Sequence, residues 1–131
     1  MSYLLDTNIC IALLKAKDPV LIGKMKEHSP TDFYLCSVVK AELLYGAYKS
    51  QYIQKNLKLL SAFFEQFQSL PFGDDCSDFY GSLRSILEKS GKIIGANDLL
   101  IASIAQINHL TVLTRNVREF VRVPGLKVEE W

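Results

Sequence analysis

The sequence predicts an α/β fold, a sandwich of helices around a mostly parallel central sheet. Short apolar runs recur between longer stretches of helical periodicity. Strands and helices alternate along the chain, the order that builds parallel sheets through helical crossovers. Carboxylates also stand at or near the ends of several apolar runs, and parallel sheets bind ligands at their carboxyl ends. At 131 residues, 49% hydrophobic and 22% charged, the chain suits one globular domain with a real core, spanning residues 1–131.

The elements follow in order. Residues 2–6 read as a short buried strand, and Thr7-Asn8 opens a helix to about Lys15. Pro19 starts a second helix, 19–27, because proline suits the first helical turn. Pro30-Thr31-Asp32 is a turn, and Phe33-Tyr34-Leu35-Cys36 a strand. Residues 38–48 form a helix with apolar positions around most of its circumference, which predicts a largely buried one. A long helix is expected over 51–67, with Ile53, Leu57, Leu60, Phe63, Phe64 and Phe67 on its apolar positions. Leu70-Pro71-Phe72 is extended, and its proline suggests a sheet edge. Helices follow at 75–90, ended by Gly91, and at 98–108, opened by Asn97 or Asp98. A core strand spans 110–114, and Lys127-Val128-Glu129 a last short one. No repeat, low-complexity tract or linker interrupts this order.

Composition narrows the function. The formal net charge is +1, so overall charge announces no polyanionic partner. Setting aside acids neutralised at a metal leaves a more basic remainder, with Arg115, Arg118 and Arg122 close together in sequence. Cys10, Cys36 and Cys76 are scattered and set in mostly apolar contexts. They read as small core residues in a reducing compartment, not a disulfide frame or a zinc site. The opening residues lack a basic region and Asp6 interrupts their apolar run, so no signal peptide is expected. No apolar run reaches membrane-spanning length, and the expected location is cytoplasmic.

Four acids sit where burial would be costly unless they were paired or bound a metal: Asp6, Glu42, Asp98 and Glu119. Asp6 closes the first strand and equally suits an N-cap for the helix beginning at Thr7. Glu42 lies among Val38, Val39 and Tyr45, and Lys40 faces away from it. It is a ligand or the partner of a distant base such as Arg84. Asp98 follows Gly95-Ala96-Asn97, a turn that can aim it, and also suits a first-turn or N-cap acid. Thr114 ends the last core strand, with Asn116 and Glu119 just beyond as outer candidates. Carboxylates held close together repel and take up protons unless a cation neutralises them. A set with oxygen donors and no histidine or cysteine selects magnesium or manganese. Such an ion activates water and stabilises charge on a phosphate, so the set suits phosphodiester hydrolysis that leaves a 5′-phosphate and a 3′-hydroxyl.

At this point the chain resembles a known family. Tyr3-Leu4-Leu5-Asp6-Thr7-Asn8-Ile9, Ala41-Glu42-Leu43-Leu44-Tyr45-Gly46-Ala47, Ile94-Gly95-Ala96-Asn97-Asp98-Leu99-Leu100-Ile101-Ala102 and Thr114-Arg115-Asn116-Val117-Arg118-Glu119-Phe120 resemble the successive motifs of PIN-domain ribonucleases, specifically VapC toxins of type II toxin–antitoxin systems. Val123-Pro124-Gly125-Leu126 and Trp131 are similar to that group as well. The resemblance implies a PIN-like α/β/α sandwich and a Mg²⁺- or Mn²⁺-dependent endoribonuclease. It implies a homodimer inhibited by a VapB-like antitoxin whose tail reaches the active site, with operator DNA met only through that antitoxin. It implies tRNA as substrate, with the initiator tRNA anticodon loop as the target of close relatives.

Asp6, Glu42 and Asp98 match the family's three acidic ligand positions. Many relatives carry aspartate where Asn116 stands, so Glu119 or Asn116 completes the set. Thr7 and Thr114 are auxiliary candidates, and Arg115 and Arg118 candidate phosphate contacts. The competing readings are weaker. An aspartyl-type phosphatase needs a second aspartate two residues after the first, where Asn8 stands, and a receiver domain needs an acidic pair before its phosphoacceptor. A noncatalytic PIN-like binding module has no need of its acids. No Walker loop or dinucleotide fingerprint is present.

Overall fold

The computed structural model describes Met1–Trp131. Its sheet has five strands, all parallel: β1 Tyr3–Leu5, β2 Phe33–Cys36, β3 Gln68–Leu70, β4 Thr111–Leu113 and β5 Val128–Glu129. Their spatial order is β3-β2-β1-β4-β5. The chain builds from β1 outward through β2 and β3, then crosses to the other side of β1 for β4 and β5. That reversal creates a switch point between β1 and β4, where open α/β sheets bind ligands. The register pairs Leu5 with Leu113. The next residues, Asp6 and Thr114, therefore emerge side by side.

Seven helices connect the strands: α1 Thr7–Lys15, α2 Pro19–Lys26, α3 Ser37–Lys49, α4 Ile53–Phe64, α5 Asp74–Lys89, α6 Ala96–Ile107 and α7 Val117–Phe120. Local chemistry sets their ends. Asp6 caps α1 by accepting from the Thr7 amide, and α1 stops at Ala16 in a left-handed conformation. Asp18 caps α2 by accepting from the Leu21 amide at 3.0 Å, with Pro19 in the first turn. Gly91, with φ +67°, takes the left-handed turn after α5.

The core is one cluster of 28 buried residues. Leu4, Leu5, Leu35, Val112 and Leu113 of the central strands are fully enclosed, as continuous apolar strands covered on both faces should be. Helix α6 is buried from Ile101 through Ala105, and the Ser103 hydroxyl is satisfied by donating to the Leu99 carbonyl at 2.8 Å. All three cysteines are free and buried. No helix is long and apolar enough to cross a membrane.

The structure corrects several sequence expectations. The long helix expected over 51–67 ends at Phe64, because Gln68–Leu70 pairs with β2 as an edge strand. Phe67 therefore packs on the core from outside the helix. The edge position is as expected, but Pro71 lies just past the strand. Helix α3 is not largely buried: only Val39, Leu43 and Ala47 form its enclosed stripe, while Tyr45 and Tyr48 are 66% and 61% exposed. Residues 117–120, expected as a solvated stretch or outer ligands, form a helical turn.

Leu4 fills the central strand with no exposure. Leu4→Ala should lower unfolding free energy by about 3 kcal/mol, the cost of a buried cavity. A shift of the urea midpoint at unchanged slope would measure it, and an unchanged midpoint would contradict the packing described.

Candidate active site

Asp6 is the first residue past β1, and its amide still donates to the Leu113 carbonyl at 3.0 Å. The sheet ladder therefore fixes its backbone. The residue is only 4% exposed. Its Oδ1 accepts from the Thr7 amide at 2.8 Å, and its Oδ2 accepts from the Thr114 hydroxyl at 2.7 Å. Capping and a central place in the acid cluster coexist in this one side chain.

Thr114 is a hub. Its hydroxyl donates to Asp6 and accepts from the Asn116 amide at 2.8 Å. The Asn116 side chain then donates to Asp98 Oδ2 at 2.8 Å and to Glu119 Oε2 at 3.0 Å. Asp98 sits in the first turn of α6, which has no side-chain cap, so the first-turn reading holds and the N-cap reading does not. Glu119 also accepts from the Gly95 amide at 3.4 Å. Glu42 joins from α3 through Thr7, whose hydroxyl donates to Glu42 Oε1 at 2.6 Å. The alternative partner is elsewhere: Arg84 pairs with Glu88 at 3.0 Å.

The structure thus brings together Asp6, Glu42, Asp98, Glu119, Asn116, Thr7 and Thr114. Arg115 leads outward and pairs with Asp18, and Arg118 is exposed on α7. The Gly95 amide is the contact that sequence reasoning missed. Gly95 was legible only as part of a turn, because its partner Glu119 lies 24 residues away. A Cβ at Gly95 would come within 3.6 Å of Glu119 Oε2, so this backbone borders the acids directly.

The electrostatics follow from burial and crowding. Burial pushes the Asp6 carboxyl above its ordinary value, Thr114 and Thr7 pull it back, and Glu42 and Glu119 push it up again. Asp98 is pushed up to about 7, first by burial, then by its bond with Glu119 and the Asp6 charge. Glu119 moves the other way, because that bond favours its charged form. The two carboxyls titrate as a pair, with Asp98 pushed up and Glu119 pulled down by the same contact.

The donor set is oxygen only, and its crowded charge is what a hard divalent cation would relieve. As they stand, no three acidic, histidine or cysteine side chains converge on one point, because Thr7, Thr114 and Asn116 each hold an acid, and an ion would draw those carboxylates inward.

Comparison with known proteins places this geometry. The PIN domain family profile matches residues 3–126. Ribonuclease VapC2 of Rickettsia felis is 40% identical over 132 residues, covering 100% of this chain and 98% of that protein. This chain belongs to the VapC family of PIN-domain ribonucleases. The tRNA(fMet)-specific endonuclease VapC of Shigella flexneri is 34% identical, again across 100% of this chain and 98% of the relative. Among solved structures, VapBC2 of Rickettsia felis bound to a promoter DNA fragment superposes with a TM-score of 0.92 at 38% identity, covering 100% and 99% of the two chains. DNA-bound VapBC of Salmonella typhimurium gives 0.93 at 31% identity, covering 100% and 98%. The α/β sandwich with its parallel sheet is thus the VapC PIN fold.

The Asp98 shift fixes a pH dependence of this PIN domain. Its folded pKa lies above the ordinary 3.8, so folding takes up a proton between about pH 4 and 7 and stability falls as pH rises through that window. In chelator, the Tm should drop by about 5 °C between about pH 5 and pH 8, and Asp98→Asn should flatten most of that slope. Identical slopes in calorimetric scans of the two proteins would refute the assignment.

Proposed function

We propose that this chain is a Mg²⁺- or Mn²⁺-dependent endoribonuclease toxin that hydrolyses tRNA phosphodiester bonds and so arrests translation. The observation that carries this reading is the linked carboxylate set at the β1/β4 switch point, with Asp98 raised to about 7 by burial and by uncompensated negative charge. Asp6, Glu42 and Asp98 would hold the ion, with Glu119 as the fourth carboxylate and Asn116 as its neutral donor. When bound, such an ion keeps waters, lowers the pKa of one and neutralises charge on the phosphate.

The protein's own groups divide the work of positioning. Thr114 and the Thr7 amide fix both oxygens of Asp6, which leaves its remaining lone pairs in a set direction. Thr7 orients Glu42 across the gap between α1 and α3. Asn116 donates to both Asp98 and Glu119 and so aligns the pair without adding charge. Arg118, exposed on α7, and Arg115, once it leaves Asp18, hold flanking phosphates of the RNA.

The names of relatives support tRNA as the substrate, since those from Shigella flexneri and Salmonella typhimurium are called tRNA(fMet)-specific endonucleases. The initiator tRNA anticodon loop follows as the candidate target. The solved neighbours are VapBC complexes, which supports a VapB-like antitoxin, with operator DNA reached through it. A cavity of about 440 Å³ between α1, α3 and α4 suits an apolar antitoxin segment; Ile11, Leu14, Leu43 and Leu59 line it and Glu42 borders it. The exposed Tyr45 and Tyr48 on α3 supply apolar surface for a homodimer. Residues 1–131 act as one domain in the cytoplasm.

Purified protein given total tRNA should cut it with Mg²⁺ and stop in chelator, leaving 5′-phosphate ends. Asp6→Asn should lower the rate by at least about a hundredfold. Glu119→Gln should raise the Mg²⁺ requirement more than Asn116→Ala, because only Glu119 adds an anionic ligand. Cleavage that persists in chelator, or products ending in a 2′,3′-cyclic phosphate, would sink the metal-activated mechanism.

A further inference from the structure

Thr114 is held from its far side by an element remote from the acids. Its amide donates to the Glu129 carbonyl of β5 at 3.1 Å. β5 is only Val128–Glu129, an edge strand too short to hold its register unaided. What secures it is the segment just beyond. The Trp131 indole donates from Nε1 to Glu129 Oε1 at 3.2 Å. The same ring stacks on His28 at 5.0 Å with an interplanar angle of 16°. It meets Tyr3 edge-on at 5.0 Å and Phe33 at 5.9 Å. Tyr3 and Phe33 are the opening residues of β1 and β2, paired in register and almost fully buried.

Aromatic contacts in stacked and edge-on geometry stabilise beyond the area they bury. Together they pin Trp131, and with it Glu129, against the central strands. From Glu129 the connection runs through Thr114 to Asp6 on one branch, and through Asn116 to Asp98 and Glu119 on the other.

We propose that Trp131, clamped on His28, Tyr3 and Phe33, is a positioning residue for the active site, acting through Glu129 and Thr114 on the metal-binding carboxylates. The inference rests on the reading of Asp6 and Asp98 as metal ligands. Outer partners that orient ligands tune metal affinity without touching the ion. Loosening the clamp frees the Thr114 amide, and its hydroxyl then no longer holds Asp6 Oδ2 in one direction. RNA binding through exposed groups is left intact.

The test compares Trp131→Ala and His28→Ala with Leu83→Ala, a core truncation on α5 that lowers Tm without touching this connection. His28→Ala removes the stacking platform while leaving β5 untouched. Thr114 amide exchange, Mn²⁺ affinity by calorimetry, and kcat and KM on RNA are measured for each. Both clamp variants should speed Thr114 exchange, weaken Mn²⁺ binding by roughly tenfold and lower kcat with KM little changed. Leu83→Ala at a matched Tm loss should keep wild-type Mn²⁺ affinity. Wild-type Mn²⁺ affinity and Thr114 protection in both clamp variants would overturn the proposal, as would equal losses in Leu83→Ala. Wild-type protein that binds Mn²⁺ but cuts no RNA would contradict the ribonuclease reading alone, and the exchange and affinity results would still decide this one.

Discussion

The Thr114 hydroxyl links the two branches of the acid cluster. On one side it donates to a carboxylate that is almost sealed from water. On the other it accepts the amide that sets Asn116, and through Asn116 the remaining acids. Carboxylates gathered in a low-dielectric pocket repel, and only favourable hydrogen bonds or a cation hold them there. The donors that the chain supplies are neutral ones, namely two threonines, an asparagine side chain and backbone amides. Every buried polar side-chain atom has a partner. Neutral donors align the acids but offset neither their burial nor their mutual charge, and for those two reasons, burial first, Asp6 and Asp98 still have raised carboxyl pKa values.

The parallel sheet makes this arrangement available. Parallel strands deliver their carboxyl ends to one edge, and the reversal of strand order beside β1 leaves a gap there. Asp6 and Thr114 arrive by strand register. Glu42 and Asp98 arrive on helices packed over that edge, and Glu119 arrives on a single helical turn. The site thus draws on segments scattered along the whole chain, and no local motif contains it.

That dispersal explains what the sequence did and did not disclose. The strand and helix order was legible because apolar periodicity is a local property, and Asp6 at a strand end followed directly from it. Glu42 stood out for its apolar neighbours, although the inference that α3 is buried all round was wrong. Its tyrosines face outward, and apolar residues are as much the mark of a contact surface as of a core. The end of α4 was misjudged because Phe67 continues the helical apolar pattern while strand pairing with β2 claims the chain from Gln68. The Gly95 amide meets Glu119 only through contact between distant segments, and spacing carries no signal for it.

The central claim is that the carboxylates form one crowded anionic cluster that a hard cation completes. Proton release on ion binding tests it most directly. Asp98, at about 7, should hold a proton at neutral pH that an arriving Mn²⁺ displaces. Titration calorimetry in buffers of different ionisation heat should show about half a proton released per ion at about pH 7, fading toward zero by about pH 8.5. Binding without proton release near neutral pH, or release that survives Asp98→Asn, would contradict the account.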